Sequence, residues 1–240
     1  MHYPESVSRD AWRAERQALL QQEKEATRLL DAVAARRRRL PMTPVRTDYV
    51  FGSMQGPLGF VELFDGADQL IVYHNMLAPG SDFICPGCSR YSDHLGNLAH
   101  LRARRSRFVM VSRAPVARIE QVKARMGWRF PWVSCEGTSF HEDFVATEGE
   151  SFGLSVFMRR GDAVYQSYFT SGRGVELPSN SFGLLDITPW GRQESWEDSP
   201  AGTPQPLHRQ SCPPQNAMRP AAPSGTAQPT VELCCFSRVQ

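Results

Sequence analysis

Hydrophobic and polar positions change their spacing along this chain, and each change marks a different kind of element. Residues 8 to about 39 repeat on a helical period. Trp12, Leu19, Ala26 and Val33 recur every seven residues, and Leu20, Leu29 and Leu30 widen the stripe. Ser8 stands where an N-cap accepts a backbone N–H, with Asp10 in the first turn favourable to the helix dipole. Arg36 to Arg39 crowd the last turn, where positive charge suits the carbonyl end, and Pro41 stops the helix. At about 1.5 Å per residue, such a helix is about 45 Å long. A small domain cannot cover all of it, so part is expected to meet a partner chain, a homo-oligomer through this helix being one form.

From about Val45 to Thr188 the pattern becomes short apolar runs divided by turns. Tyr49-Val50-Phe51 and Phe60-Val61-Glu62-Leu63-Phe64 flank a turn at Gln55-Gly56. Residues 69–74 form an apolar, β-branched run suited to a buried central strand. A helix is expected from Cys85 to about Arg104, and Phe108-Val109-Met110-Val111-Ser112 is a second buried strand. Pro115 can open another helix carrying Val116, Ile119, Val122 and Met126 at helical spacing, and Gly127 ends it. Residues 128–134 hold a third short strand. Residues 154–158 and 163–169 form a hairpin around Arg160-Gly161-Asp162. Strands alternating with helices and closing in an antiparallel hairpin define a mixed α/β sandwich.

From about Ser199 the apolar periodicity vanishes, and prolines recur at 200, 204, 206, 213, 214, 220, 223 and 229 amid Ala, Ser, Gln and Thr. That composition predicts a disordered tail. The chain therefore divides into a helix over 1–41, a domain over 42–198 and a tail over 199–240.

Charge excludes some partners. Lys and Arg number 27 against 25 Asp and Glu, a net charge of +2, which argues for neither a nucleic-acid nor an anionic-membrane partner. The four arginines ending the first helix read as a solvated, dipole-matched terminus, because no aromatic residues are interleaved among them. No window is apolar enough to span a membrane. Met1-His2-Tyr3-Pro4-Glu5 lacks the basic start and apolar stretch of a signal peptide, so the expected location is cytoplasmic. Structural disulfides are rare in that compartment.

Of six cysteines, only Cys85 and Cys88 have a spacing that implies chemistry. Cys85-Pro86-Gly87-Cys88 follows the apolar run by about ten residues and opens a helical segment, the strand–loop–helix setting in which C-x-x-C means redox chemistry. A thiol at a helix N-terminus meets unpaired N–H groups and the positive end of the dipole, so it ionises more readily. Cys85 is expected there as nucleophile, with Cys88 one turn on and facing inward as the resolving thiol. Pro86 suits the first turn, and Gly87 leaves room for another chain to approach. Two further readings stay open: a pair of unpaired buried cysteines, and a zinc clip. Zinc needs two more ligands, and His74, His94, His100 and Cys135 supply them only if the fold gathers them. His74 and Arg113 end the first two strands on one edge, where either can stabilise the Cys85 thiolate; a loop hydrogen bond and a surface ion pair are the plainer readings. Cys135 reads as a small core residue, and Trp128, Phe130 and Trp132 as core. Cys234-Cys235 precede no lipidation box, since the chain closes on Ser-Arg-Val-Gln.

Several blocks together resemble a known family. They are Val7-Ser8-Arg9-Asp10-Ala11-Trp12, Asp48-Tyr49-Val50-Phe51, Gln69-Leu70-Ile71-Val72-Tyr73-His74, the dithiol, Val111-Ser112-Arg113-Ala114-Pro115, Gly127-Trp128-Arg129-Phe130-Pro131-Trp132-Val133-Ser134, Gly153-Leu154-Ser155-Val156-Phe157 and Leu185-Asp186-Ile187-Thr188-Pro189. Over about residues 7–205 the chain is similar to a bacterial domain-of-unknown-function family of thioredoxin-like proteins, described as predicted dithiol-disulfide oxidoreductases. The resemblance implies a thioredoxin-like fold with Cys85 and Cys88 in the dithiol positions, and it supplies no substrate. Thioredoxins usually place a cis-proline before the strand facing the dithiol; here Ser151-Phe152-Gly153 precedes Leu154. Peroxiredoxins carry proline seven residues, and Thr or Ser three residues, before the reactive cysteine. Ala78 and Asp82 stand there for Cys85, Ser81 and Cys85 for Cys88, which disfavours peroxidase chemistry. The Phe130-Pro131 strand entry looks peroxiredoxin-like in architecture.

The sequence thus points to a thiol–disulfide oxidoreductase with a thioredoxin-like α/β fold. The sequence implies no bound cofactor; the expected substrate is a disulfide-containing protein or small thiol, and an external reductant must recycle the pair. A non-enzymatic, redox-responsive binding module that docks through the long helix is the second reading.

Overall fold

Ser8 caps the first helix, its side chain accepting the Ala11 N–H at 3.2 Å, and α1 runs over Arg9–Arg37. The computed structural model describes residues 4–146, 148–178 and 201–202. None of the α1 residues is buried. Trp12, Leu19, Leu29 and Leu30 stand exposed on it, and the Arg37 guanidinium lies 5.4 Å from the centre of the Tyr168 ring. No helix among the described residues is long and apolar enough to cross a membrane.

Among the described residues, eight strands form one mixed sheet: β1 (Thr43–Val45), β2 (Val50–Ser53), β3 (Gly56–Gly59), β4 (Gln69–His74), β5 (Ser106–Ser112), β6 (Trp132–Ser134), β7 (Gly153–Arg160) and β8 (Ala163–Thr170). Their order is β1-β8-β7-β4-β5-β6-β2-β3. Strands β4, β5 and β6 are mutually parallel, and every other pairing is antiparallel. Parallel neighbours need a crossover. Helices α2 (Pro86–Asp93) and α3 (Ala99–Arg102) carry the chain from β4 to β5, and α4 (Val116–Met126) carries it from β5 to β6. Gly127, at φ +71°, ends α4 in the left-handed conformation that glycine adopts without strain, and the Trp128 N–H closes the end on the Lys123 carbonyl at 3.0 Å. The inner order β5-β4-β7-β8 is a parallel strand–helix–strand unit extended by an antiparallel hairpin, with the dithiol after its first strand. That is the thioredoxin-like architecture the resemblance implied.

Period-two alternation divides the core between the two faces of this sheet. Tyr73 on β4, with Phe108 and Met110 on β5, points to the face covered by α2 and α4. There they join Leu77, Cys88, Tyr91, Ile119, Val122, Trp128, Phe130 and Trp132. Leu70, Val72, Val109 and Val111 point the other way, into a cluster rich in aromatic rings. Phe140, fully buried on helix α5 (Phe140–Phe144), sits at its centre with edge-on contacts to Tyr49, Phe51 and Phe60.

Local departures from the sequence reading have identifiable causes. After the turn at Gln55-Gly56 the pairing strand is β3, and the run from Phe60 to Phe64 closes in a short 3-10 turn over Glu62–Phe64. Phe60, Leu63 and Phe64 are all buried, so their spacing was helical. The helix expected to reach Arg104 breaks in two: the His94 ring caps the Arg90 carbonyl at 2.5 Å, and Asn97 Oδ1 accepts the Ala99 N–H that opens α3. The third strand is shorter than residues 128–134, because Pro131 has no N–H to donate to the ladder and β6 begins at Trp132. Strand β1 and helix α5 had no clear sequence signal. The tail expected over 199–240, with Cys234 and Cys235, lies outside the described residues apart from 201–202, as does the core's last stretch from 179.

Candidate active site

Strand β4 delivers the chain to the sheet's C-terminal edge, and the loop from Asn75 returns it to the start of α2. Cys85 is the N-cap of that helix, extended at φ −60° and ψ 119°, with Pro86 in the first turn. The Cys85 Sγ accepts the Cys88 N–H at 3.4 Å, so the sulfur occupies the place where a helix start satisfies its orphan donors. Ser89 Oγ donates to the Cys85 carbonyl at 3.0 Å and Ser92 Oγ to the Cys88 carbonyl at 2.7 Å, which fixes the first turns of α2.

The two thiols have different surroundings. Cys85 is half-buried and Cys88 is 1% exposed; both are unpaired as free thiols in this structure. The hydrogen bond from the Cys88 side chain lowers the Cys85 thiol to about 7, aided by the backbone N–H groups of Cys88 and Gly87 and by the Arg90 charge, against the opposing effect of burial. Burial raises the Cys88 thiol well above its ordinary range, and Cys85 adds to the rise. Tyr73 and the Met76 backbone N–H act on Cys88 in the opposite sense. The Tyr73 hydroxyl donates to Cys88 Sγ at 3.5 Å, and its ring stacks on Tyr91 with centroids 4.1 Å apart and planes 10° from parallel. Burial holds the Tyr73 phenol protonated far above neutral pH.

His74 and Arg113 end their strands on the expected edge, but neither reaches the dithiol. The reason is alternation. Tyr73 faces α2, so His74 faces the opposite side, where its Nε2 lies 2.8 Å from Ser155 Oγ and its ring stacks on Phe140. Burial lowers His74 to about 3, so it carries no charge to offer a thiolate at neutral pH. Ser112 accepts from Trp132 on the dithiol side, which turns Arg113 away as well. Arg113 Nε donates to Glu150 at 2.5 Å, and its Nη1 lies 3.6 Å from Glu142. Cys135 belongs to that far side too, 1% exposed and pushed up to about 12 by burial. Among the described residues no group of three His, Cys, Asp or Glu side chains is placed to hold a metal ion. Trp128, Phe130 and Trp132 line the core as read from the sequence.

Tyr73, Met76 and Arg90 were not found from the sequence. Tyr73 had a usable signal, since it is the last residue of β4 on the face that the following helix must cover. The Ser151-Phe152-Gly153 segment enters β7 with Phe152 buried on the dithiol side. A Cβ at position 153 would lie 2.6 Å from the Phe169 ring, which would have to shift to admit it.

The fold and this N-capping dithiol define a thioredoxin-like protein. The chain belongs to the family described as "Bacterial protein of unknown function (DUF899)", which it matches over residues 1–211. Among solved structures it is similar to a cysteine-to-serine mutant of Xylella fastidiosa PrxQ, with 14% identity and a TM-score of 0.41, covering 60% of this chain and 97% of that one. It is also similar to a cysteine-to-serine mutant of Xanthomonas campestris peroxiredoxin Q, with 13% identity and a TM-score of 0.38 over 57% of this chain and 91% of that one. A third similar structure is the apo Sco1 protein of Thermus thermophilus, with 14% identity and a TM-score of 0.33 over 61% and 95%. No curated protein matches the chain.

Proposed function

We propose that this protein is a thiol–disulfide oxidoreductase in which Cys85 attacks and Cys88 resolves. One observation carries the reading: the half-buried Cys85 sulfur caps α2 and is lowered to about 7, while Cys88, three residues on, is buried and raised. A thiol near pH 7 is about half thiolate in neutral solution and remains a competent nucleophile, the balance thiol exchange favours. The Cys85 thiolate attacks a substrate disulfide and forms a mixed disulfide, releasing one substrate thiolate. Cys88 then attacks Cys85, releases the second substrate thiol and leaves the enzyme disulfide, two electrons having passed to the substrate. An external reductant recycles the pair. The substrate is a disulfide-bearing protein or a small-molecule disulfide, the site is the 42–198 domain, and the location is cytoplasmic.

The deciding variants are Cys85→Ser and Cys88→Ser, assayed with a disulfide substrate and analysed by non-reducing mass spectrometry. Cys85→Ser abolishes exchange, whereas Cys88→Ser accumulates a covalent Cys85–substrate adduct. Full exchange by Cys85→Ser removes the mechanism.

A second reading draws on α1. A helix with no buried residue and with Trp12, Leu19, Leu29 and Leu30 exposed has the character of a contact surface, so the domain would act as a redox-responsive binding module.

A further inference from the structure

We infer that Tyr73 is a catalytic residue of the resolving step, its hydroxyl stabilising the Cys88 thiolate at the moment of attack; this rests on the exchange reading above. Cys88 is 1% exposed, so water is a poor source of hydrogen bonds for its anion. An uncompensated charge there is costly. The Tyr73 hydroxyl is already aimed at that sulfur from 3.5 Å. The stack on Tyr91 and complete burial of the ring fix its direction, so the donor needs no reorganisation when charge develops. The groups acting on the Cys88 sulfur come from three segments: Cys85 at the start of α2, Tyr73 on β4 and the Met76 N–H in the loop after β4. Tyr91 acts at one remove through Tyr73, and Arg90 through Cys85.

The step balances as follows. Cys85 as thiolate attacks R–S–S–R′, forming Cys85–S–S–R and releasing R′–S⁻. That anion takes the Cys88 proton and leaves as R′–SH. Cys88 as thiolate, held by the Tyr73 O–H, attacks the Cys85 sulfur. The Cys85–Cys88 bond forms, the Cys85–SR bond breaks, and R–S⁻ departs. Tyr73 donates a hydrogen bond throughout and keeps its proton.

The test is Tyr73→Phe, which preserves the ring and its stack, in a background carrying Cys212→Ser, Cys234→Ser and Cys235→Ser. Dithiobis(nitrobenzoate) is the probe. Attack by Cys85 releases one coloured thiolate, and resolution by Cys88 releases the second, so one trace reports both steps. Tyr73→Phe slows the second phase about tenfold, the scale of one charge-assisted hydrogen bond, and by far more than it slows the first, and it moves the second phase's pH midpoint upward. Fluorotyrosine at position 73, a stronger donor of the same shape, moves that midpoint downward and guards against a folding defect in the phenylalanine variant. Unchanged second phases in both variants, or equal slowing of both phases, overturn the role of Tyr73. A parent protein that releases no second equivalent overturns the exchange reading itself, independently of either variant.

Discussion

Cys85 and Cys135 are both cysteines in one folded domain, yet their surroundings push them in opposite directions, Cys85 down to about 7 and Cys135 up to about 12. The helix start, the Cys88 thiol and Arg90 favour the Cys85 anion, whereas burial beside Glu142 disfavours that of Cys135. Thiolate is the reactive form. A thiol lowered to about 7 is mostly ionised above that pH and loses its anion below it. Iodoacetamide labelling of Cys85 therefore reaches half its maximal rate near pH 7 and falls about tenfold per pH unit below. Cys88 and Cys135 stay unlabelled in the native protein under the same conditions. Peptide mapping by mass spectrometry reads all three, and equal labelling of Cys85 and Cys135 at pH 7 would contradict the assignment. The Cys85–Cys88 pair stood out in the sequence through its two-residue spacing together with the strand–loop–helix setting around it. His74 was offered as one possible thiolate stabiliser beside the plainer reading of a loop hydrogen bond, from an edge position that says nothing of the face: adjacent strand residues point to opposite sides, which puts Tyr73 by the dithiol and buries His74 against Ser155.

At the scale of elements, legibility follows how much of the signal is local. Helix α1 was readable from its cap, its stripe and Pro41, because all three lie within its own sequence. Strand β4 was readable from a continuous β-branched run. The break between α2 and α3 was not, because it depends on His94 and Asn97 closing onto nearby backbone. Strand β1 exists only through its pairing with β8, a contact across more than a hundred residues of chain. Helix α1 and the domain are joined loosely in energetic terms: no α1 residue is fully buried, Val33, Ala34 and Ala35 are half-buried, and Arg37 over Tyr168 is a contact of about 0.5–1 kcal/mol when exposed. Deleting residues 1–40 therefore leaves near-ultraviolet circular dichroism and thiol exchange as in the full chain. Size-exclusion chromatography with light scattering then decides the helix's role. Loss of oligomers with intact exchange supports a contact surface, and unchanged size counts against it.

The whole molecule sets one sheet between two cores of different character. The aromatic-rich side, centred on Phe140, holds the far edge of the sheet and the His74–Arg113 polar groups. The other side carries the dithiol, with Tyr73 and Tyr91 beneath it. This division fixes which groups can take part in the chemistry. It places the Cys85 sulfur, the proposed nucleophile, past the C-terminal edge of β4 and more exposed than Cys88. The most direct test of that account is a redox titration of the purified protein in glutathione buffers, quenched by alkylation and read by mass spectrometry. Cys85 and Cys88 convert together and reversibly, at a potential between about −120 and −270 mV, the range of catalytic dithiols. Thiols that never pair, or that stay protected by a bound metal, would contradict it.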